Sequence, residues 1–339
     1  MLRKLAGWIR GSQPTRAQPA APNPLEFDPA TLPWLDRSAP DIAGYVASLR
    51  RKPGYDLRAK LEQWHDEGIV AFPQLIPHAL IDAFRADLDE LVENRARHGT
   101  RVLLEVHGIK PISETTLEQL RHKHARVTDF YNQSVAAKKI VLHPGIVEFA
   151  EHLFGDKVVA MQTIAFWRGS EQKTHQDCAY VVSQIPSHLC ATWIALEDVD
   201  ADADAGPLEY YPGSHRLSPK FDWGNGMFAT TESTRNESDF RDHLEAECAK
   251  RGIAPRSFVP RKGDVLFWHG ALAHRGGAVR NPALTRLSLV AHYSSASAYS
   301  RDRRAPLEAP RVFEYNGGLV YADPRLPNEE DSFTRGRAF

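Results

Sequence analysis

Two kinds of hydrophobic spacing divide this chain. Between Asp41 and Gly155 apolar residues recur mostly three and four apart, and beyond Lys157 they gather in short blocks or alternate. The first spacing is that of helices with one buried face, the second that of strands. Asp41 is placed to cap a helix bearing Ile42, Tyr45, Val46 and Leu49. Asp56 is placed to cap another with Leu57, Leu61 and Trp64, closed near Gly68. Ile69 to Phe72 reads as a short strand ahead of Pro73. The clearest helix runs from Pro77 to about Arg97, with Ile81, Phe84, Leu88, Leu91 and Val92 in register. From His98 to Ser134 the chain is polar and less periodic, and His143 to Gly155 is a short amphipathic helix ending on a glycine.

Strands follow over Val158–Trp167, around His175 and on through Tyr180 to Val182, and over Leu189–Leu196, Leu208–Tyr211, Asp264–Trp268 and Arg286–Tyr293. Glycine, proline and aspartate turns separate them. This predicts a mainly β fold with helical additions, a jelly roll (double-stranded β-helix, cupin-like) flanked by N-terminal helices. Residues 1–38, rich in Pro, Ala, Ser and Gln at 11–38, read as a flexible lead-in. Residues 39–339 read as a single domain: helical lead-in 39–156, jelly-roll core about 157–295, and an irregular C-terminal wrapping segment 296–339. The insertions at about 98–125 and 217–260 are where substrate choice is expected to lie; the second carries a helix-like stretch from Phe240 to Lys250.

Composition narrows the function classes. The chain has 339 residues, 42% of them hydrophobic and 25% charged, enough for a sizeable core. A formal net charge of −1 gives no field that would gather nucleic acid or an anionic membrane. Three unpaired-looking cysteines, Cys178, Cys190 and Cys248, argue against a disulfide framework or structural zinc and suit a cytoplasmic setting. No apolar run approaches the roughly 18 residues of a spanning helix. Leu2 to Arg10 is basic and apolar; it reads as a frayed terminus rather than an interfacial anchor through Leu2, Leu5, Trp8 and Ile9.

Chemistry concentrates in Lys173-Thr-His-Gln-Asp-Cys-Ala-Tyr180. On a strand His175 and Asp177 would face the same side, presenting an imidazole and a carboxylate to one cavity. That is most of a facial triad, the ligand set that holds non-haem Fe(II) with open positions. The third ligand should be a histidine downstream, and His269 and His274 both qualify. His274 is preferred because Arg286 follows on the next alternating strand, sharing a face with Ser288, Val290 and His292. An inward arginine there can take the distal carboxylate of a 2-oxo diacid as a bidentate pair. Asp198 to Asp204 with Glu209 mimics a calcium loop, but Ala203 stands where the loop needs glycine, and an acidic turn is expected instead.

These residues, with Trp193-Ile-Ala-Leu196, Gly206-Pro-Leu-Glu-Tyr-Tyr-Pro-Gly-Ser-His215 and Gly263-Asp264, resemble the phytanoyl-CoA dioxygenase family of Fe(II)/2-oxoglutarate-dependent oxygenases. The resemblance is densest over roughly residues 120 to 293. It implies His175, Asp177 and His274 as iron ligands, Arg286 as the 2-oxoglutarate clamp, and Fe(II), 2-oxoglutarate and O2 as the reacting set. Arg126 falls where some relatives carry a co-substrate-binding lysine, while Gln162 and Trp193 fall on strands lining that pocket. Gly276 stands where many relatives place a serine. His215 and His269 read as local structural groups.

The expected activity is hydroxylation of a small polar or conjugated molecule, with release of succinate and CO2. Desaturation and ring closure use the same triad. The competing readings are a non-catalytic jelly-roll module for metal or carbohydrate, which usually lacks a ligand or the clamp, and a zinc hydrolase, which gives Arg286 no task.

Overall fold

In the computed structural model, which describes residues 25–104, 108–122, 124–181, 186–199, 204–298 and 312–321, both expected aspartate caps form. Asp41 accepts from the Gly44 amide at 2.8 Å and opens α1 (Ile42–Ser48); Asp56 accepts from the Ala59 amide at 3.0 Å and opens α2 (Leu57–Glu67). Each cap satisfies an amide that the helix leaves unpaired, for about 1 kcal/mol. α2 ends where Gly68 turns to φ 71°, a conformation that costs glycine little. β1 (Ile69–Phe72) follows, then α3 (His78–Glu93), which buries Leu80, Ile81, Phe84, Leu88 and Leu91.

The stretch that looked aperiodic holds β2 (Arg101–Leu104), β3 (Gly108–Pro111), α4 (Leu117–Arg121) and β4 (Arg126–Thr128), and α5 (Val135–Val141) follows it. Strands of three or four residues are too short to show a period, and Arg126, Val127 and Thr128 are all buried. α6 (Pro144–Phe154) starts on a proline and stops at Gly155. Then come β5 (Val158–Phe166), β6 (Leu189–Ala195), β7 (Leu208–Tyr210), α7 (Glu237–Lys250), β8 (Arg256–Phe258), β9 (Val265–His269), β10 (His274–Gly276), β11 (Ser288–Ser295), β12 (Val312–Tyr315) and β13 (Gly318–Tyr321).

Two sheets face each other. The larger runs β1-β9-β6-β11-β5-β4-β2-β3, and β13 joins it parallel to β5 at Leu319 and Val320; the smaller runs β10-β7-β8. One face of the larger sheet packs on the helices, where the Phe149 ring lies 4.9 Å from Phe72 and 5.0 Å from Phe267. The other face carries Ile164, Trp193, Leu266, Trp268 and Val290 toward the smaller sheet. Alternation on β11 follows the sequence: Leu289, Ala291 and Tyr293 join the helix-side core while Val290 joins the inner cluster. This is the jelly roll with N-terminal helices expected from the strand pattern.

The His175 segment departs from expectation. His175 makes only an isolated antiparallel bridge to His274, and Asp177–Ala179 is a 3-10 turn, so there is no strand through Tyr180. Val182 lies outside the described residues. Within the expected lead-in, residues 29–31 and 34–36 form 3-10 turns; Leu35 is fully buried and Trp34 Nε1 donates to the His152 carbonyl at 2.9 Å. The basic-apolar stretch from Leu2 to Arg10 lies outside the described residues, and the C-terminal segment contributes the β12–β13 hairpin. Among the described residues no helix is long and apolar enough to cross a membrane.

Candidate active site

An isolated bridge from the His175 segment to His274 on β10 sets the site. His175 and His274 exchange backbone hydrogen bonds at 3.0 Å each way, which brings their rings to 4.2 Å. Each ring is then anchored through Nδ1 on the carbonyl two residues earlier, His175 on Lys173 at 2.8 Å and His274 on Leu272 at 3.0 Å. A carbonyl can only accept, so Nδ1 carries a proton, and Nε2 is the nitrogen whose lone pair the neutral ring offers to a metal. The 3-10 turn swings Asp177 to the same point, with Oδ1 at 3.6 Å from His175 Nε2 and 3.7 Å from His274 Nε2. A turn therefore achieves the convergence that a strand was expected to give.

The three groups form the one cluster among the described residues whose ligand atoms all lie within 4.8 Å and could hold a metal ion. Their electrostatics suit a cation. Burial would raise Asp177, but His274, His292 and the contact from His175 hold it well below the usual carboxylate range. Burial and the neighbouring His175 push His274 down to about 4, so the imidazole is neutral at pH 7. A carboxylate with two imidazoles, each oriented by a backbone carbonyl, is a donor set that fits Fe(II). Gln172 Nε2 lies 3.0 Å from His175 Nε2, within reach of that lone pair.

The same cavity is lined by Arg126, Gln162, Trp193 and Arg286, so every residue singled out from the sequence for metal or co-substrate meets there. Arg286 sits two residues before β11 rather than on it, its amide bonded to the Trp167 carbonyl. Its guanidinium lies 5.5 Å from the Trp193 ring and 5.9 Å from the Phe166 ring, and Nη1 donates to the Gly206 carbonyl at 2.9 Å. Its Nε is buried and makes no hydrogen bond. Arg126 approaches Phe166 from β4 at 5.4 Å. Burial, then the nearby Arg126 charge, lowers Arg286 to about 10, still protonated at neutral pH. Two buried guanidiniums in one apolar-walled pocket form a site shaped for an anion.

Gly276 lines the cavity beside Ser170, and a Cβ there would come within 2.7 Å of the Glu171 amide, 2.8 Å of Ser170 Oγ and 2.9 Å of the Gln172 amide. Ser170 thus brings a hydroxyl next to the place where a serine at 276 would stand. Gly276→Ser is expected to lower stability by about 1–3 kcal/mol, the usual cost of overpacking against backbone. Thermal unfolding checks this; a variant as stable as the parent would mean that the 170–172 segment yields.

Neither His215 nor His269 reaches this cavity. His269 Nε2 lies 3.2 Å from Asp36, and its Nδ1 accepts from the Ala271 amide at 2.9 Å. The His215 ring lies tilted beside His269 at 5.1 Å, and both line a separate cleft against residues 25–39. Glu209, part of the calcium-like pattern, is held by Arg275 at 2.6 Å, and residues 200–203 of that pattern lie outside the described residues. Phe221, Trp223, Phe240 and Leu244 of the 217–260 insertion pack in one apolar cluster with Tyr180 and Tyr211, beside the metal-ligand segment.

Residues 64–288 match the phytanoyl-CoA dioxygenase (PhyH) family. The chain belongs to the phytanoyl-CoA dioxygenase family. Membership makes it a non-haem iron, 2-oxoglutarate-dependent dioxygenase by class. Peroxisomal phytanoyl-CoA dioxygenase of Homo sapiens is 25% identical over 254 residues, covering 70% of this chain and 68% of that protein. The Rattus norvegicus protein of the same name is 24% identical over 69% of this chain and 67% of its own length. Among solved structures, the non-haem α-ketoglutarate-dependent carbocyclase SnoK superposes with a TM-score of 0.56 at 19% identity, covering 81% of this chain and 98% of SnoK. EctD from S. alaskensis, in its apo form, gives 0.55 at 15% identity over 83% of this chain and 89% of EctD. At these identities the two structures speak for the fold.

Sequence reading missed several cavity residues, among them Trp268, His292, Phe166 and Ser170. His292 had a usable signal, since alternation put it on the Arg286 face. Trp268 had none: its indole reaches Asp177 only because β9 and the 3-10 turn are neighbours in space.

Proposed function

We propose that His175, Asp177 and His274 hold Fe(II), that Arg286 with Arg126 receives the distal carboxylate of 2-oxoglutarate, and that the enzyme hydroxylates a small polar or conjugated molecule. One observation carries this reading: a buried guanidinium whose Nε makes no hydrogen bond lies in the same cavity as the three-ligand cluster. A binding module or a zinc hydrolase has no use for that arginine. When bound, iron with 2-oxoglutarate and O2 supplies the oxidising power that hydroxylates a C–H bond, leaving succinate and CO2.

The chain's own residues bind, orient and exclude water. The Arg286 fork fixes the co-substrate in one pose, and Trp193, Phe166 and Leu208 keep the pocket dry around it. Asp177 in the ligand set, where a glycine or alanine would leave room for halide, favours hydroxylation. The polar substrate reading rests on Gln172, Tyr180 and Arg275 in the cavity wall, and on an insertion whose apolar residues pack in one cluster rather than opening an apolar channel. SnoN has been solved with nogalamycin RO and EctD with 5-hydroxyectoine, bound molecules of that general kind. Three buried free thiols support placing the protein in the cytoplasm.

Succinate release measured with Fe(II), 2-oxoglutarate and pools of metabolites tests the reading. Iron-dependent succinate that rises with a polar or aromatic fraction is the expected outcome. Stimulation by acyl-CoA fractions alone overturns the substrate class, and no iron-dependent succinate in any fraction overturns the enzyme assignment.

A further inference from the structure

The outer oxygen of Asp177 is engaged from two strands. Trp268 Nε1 on β9 donates to Oδ2 at 2.8 Å, and His292 Nε2 on β11 stands 3.2 Å from the same atom. The first is an aligned hydrogen bond; the second is an electrostatic contact outside hydrogen-bond geometry. All three groups are buried, Trp268 at 2%, His292 at 3% and Asp177 at 7% exposure. His292 is itself set from behind. It is the cross-strand partner of Gln162, whose Nε2 donates to His292 Nδ1 at 3.2 Å, so the ring proton sits on Nε2, facing Asp177. The register between β11 and β5 shifts just after His292, a bulge of the kind that re-aims a side chain beside a site.

Oδ1 is thereby left as the carboxylate oxygen that faces His175 and His274. A carboxylate can bind a metal through one oxygen or both, and a second bond would close a position that the co-substrate or O2 requires. We propose that Trp268 and His292, the latter set by Gln162, are positioning residues that hold Asp177 to a single metal bond and so keep the remaining coordination positions open. This rests on the iron reading above. It also gives Gln162 a different task from the co-substrate contact implied by resemblance: it steers a ligand through His292.

The test uses the full-length protein with Fe(II) kept anaerobic, reading metal affinity by chelator competition and by the metal-dependent rise in Tm. Trp268→Phe keeps the ring and loses the donor. His292→Leu removes the polar N–H that faces Oδ2, while His292→Gln keeps an N–H near the position of Nε2. Groups that steer metal ligands typically contribute about 10–100-fold in affinity, and losses of that size are expected for Trp268→Phe and His292→Leu. His292→Gln should recover most of the affinity, and the metal-free Tm of Trp268→Phe should stay near the parent's. A second readout is the visible band of the Fe(II)–2-oxoglutarate complex at saturating iron, which should weaken in the Phe and Leu variants. Equal affinity and equal bands in His292→Leu, His292→Gln and the parent overturn the role of His292, and parent-like values in Trp268→Phe overturn that of Trp268. Should His292→Leu fail to fold, Trp268→Phe and His292→Gln carry the decision. A parent protein that binds no Fe(II) instead overturns the iron reading itself.

Discussion

Replacing His175 or Asp177 by alanine should remove the weak visible charge-transfer band that the parent protein is expected to develop with Fe(II) and 2-oxoglutarate in the absence of oxygen. That band needs a metal-chelated 2-oxo acid, and the metal needs all three converging ligands. Losing even a group that only steers a ligand costs about 10–100-fold in affinity, so losing a ligand outright should exceed that range. Asp177→Ala carries a further penalty, because Asp177 is the one anionic group that the three-ligand cluster offers a cation. The same measurement separates the two candidate histidines. His274 has Nδ1 on a carbonyl and Nε2 facing Asp177, whereas both nitrogens of His269 are occupied by Asp36 and the Ala271 amide. His274→Ala should therefore lose iron while His269→Ala keeps it and loses stability. A band unchanged in the His175 and Asp177 variants, or a greater iron loss in His269→Ala, would reverse the ligand assignment.

What could be read from the sequence follows a physical divide. Helix ends were legible because a cap is a local event: Asp41, Asp56, Gly68 and Gly155 each act on backbone within a few residues. The face of β11 was legible for the same reason, since alternation is set by the pleat and needs no partner. The 98–134 region was opaque because β2, β3 and β4 are strands only by virtue of pairing with each other and with β5. The His175 segment gave the right convergence by a different route. Its geometry comes from a bridge to His274 nearly a hundred positions away and a 3-10 turn held by the Gly270 carbonyl on the Cys178 amide. No local pattern encodes either contact. The same limit hid Trp268, which touches Asp177 only in the folded sheet.

Arg286→Lys should weaken 2-oxoglutarate binding about ten- to a hundredfold while leaving iron affinity close to the parent's. The lysine keeps a positive charge, so only geometry distinguishes the two side chains. In the structure the guanidinium is fixed between Trp193 and Phe166, with Nη1 on the Gly206 carbonyl and Nε without a partner, an arrangement that presents a planar fork into the cavity. A carboxylate meets that fork with two parallel charge-assisted bonds, whereas an ammonium is a single hydrated point charge that also loses the ring contacts. Such a bond in a dry pocket contributes roughly 1.5–3 kcal/mol, and each 1.4 kcal/mol is about tenfold in affinity. Iron affinity stays because Arg286 touches neither histidine nor Asp177. Titrating the visible band with 2-oxoglutarate at saturating Fe(II) reads the loss directly, and the band's full height at high co-substrate shows that the metal site is intact. A lysine variant that titrates like the parent would place the clamp elsewhere, with Arg126, the second guanidinium in the pocket, next to be tested by Arg126→Lys. Iron would still sit on His175, Asp177 and His274, but the co-substrate would enter from the β4 side of Phe166 rather than from β11.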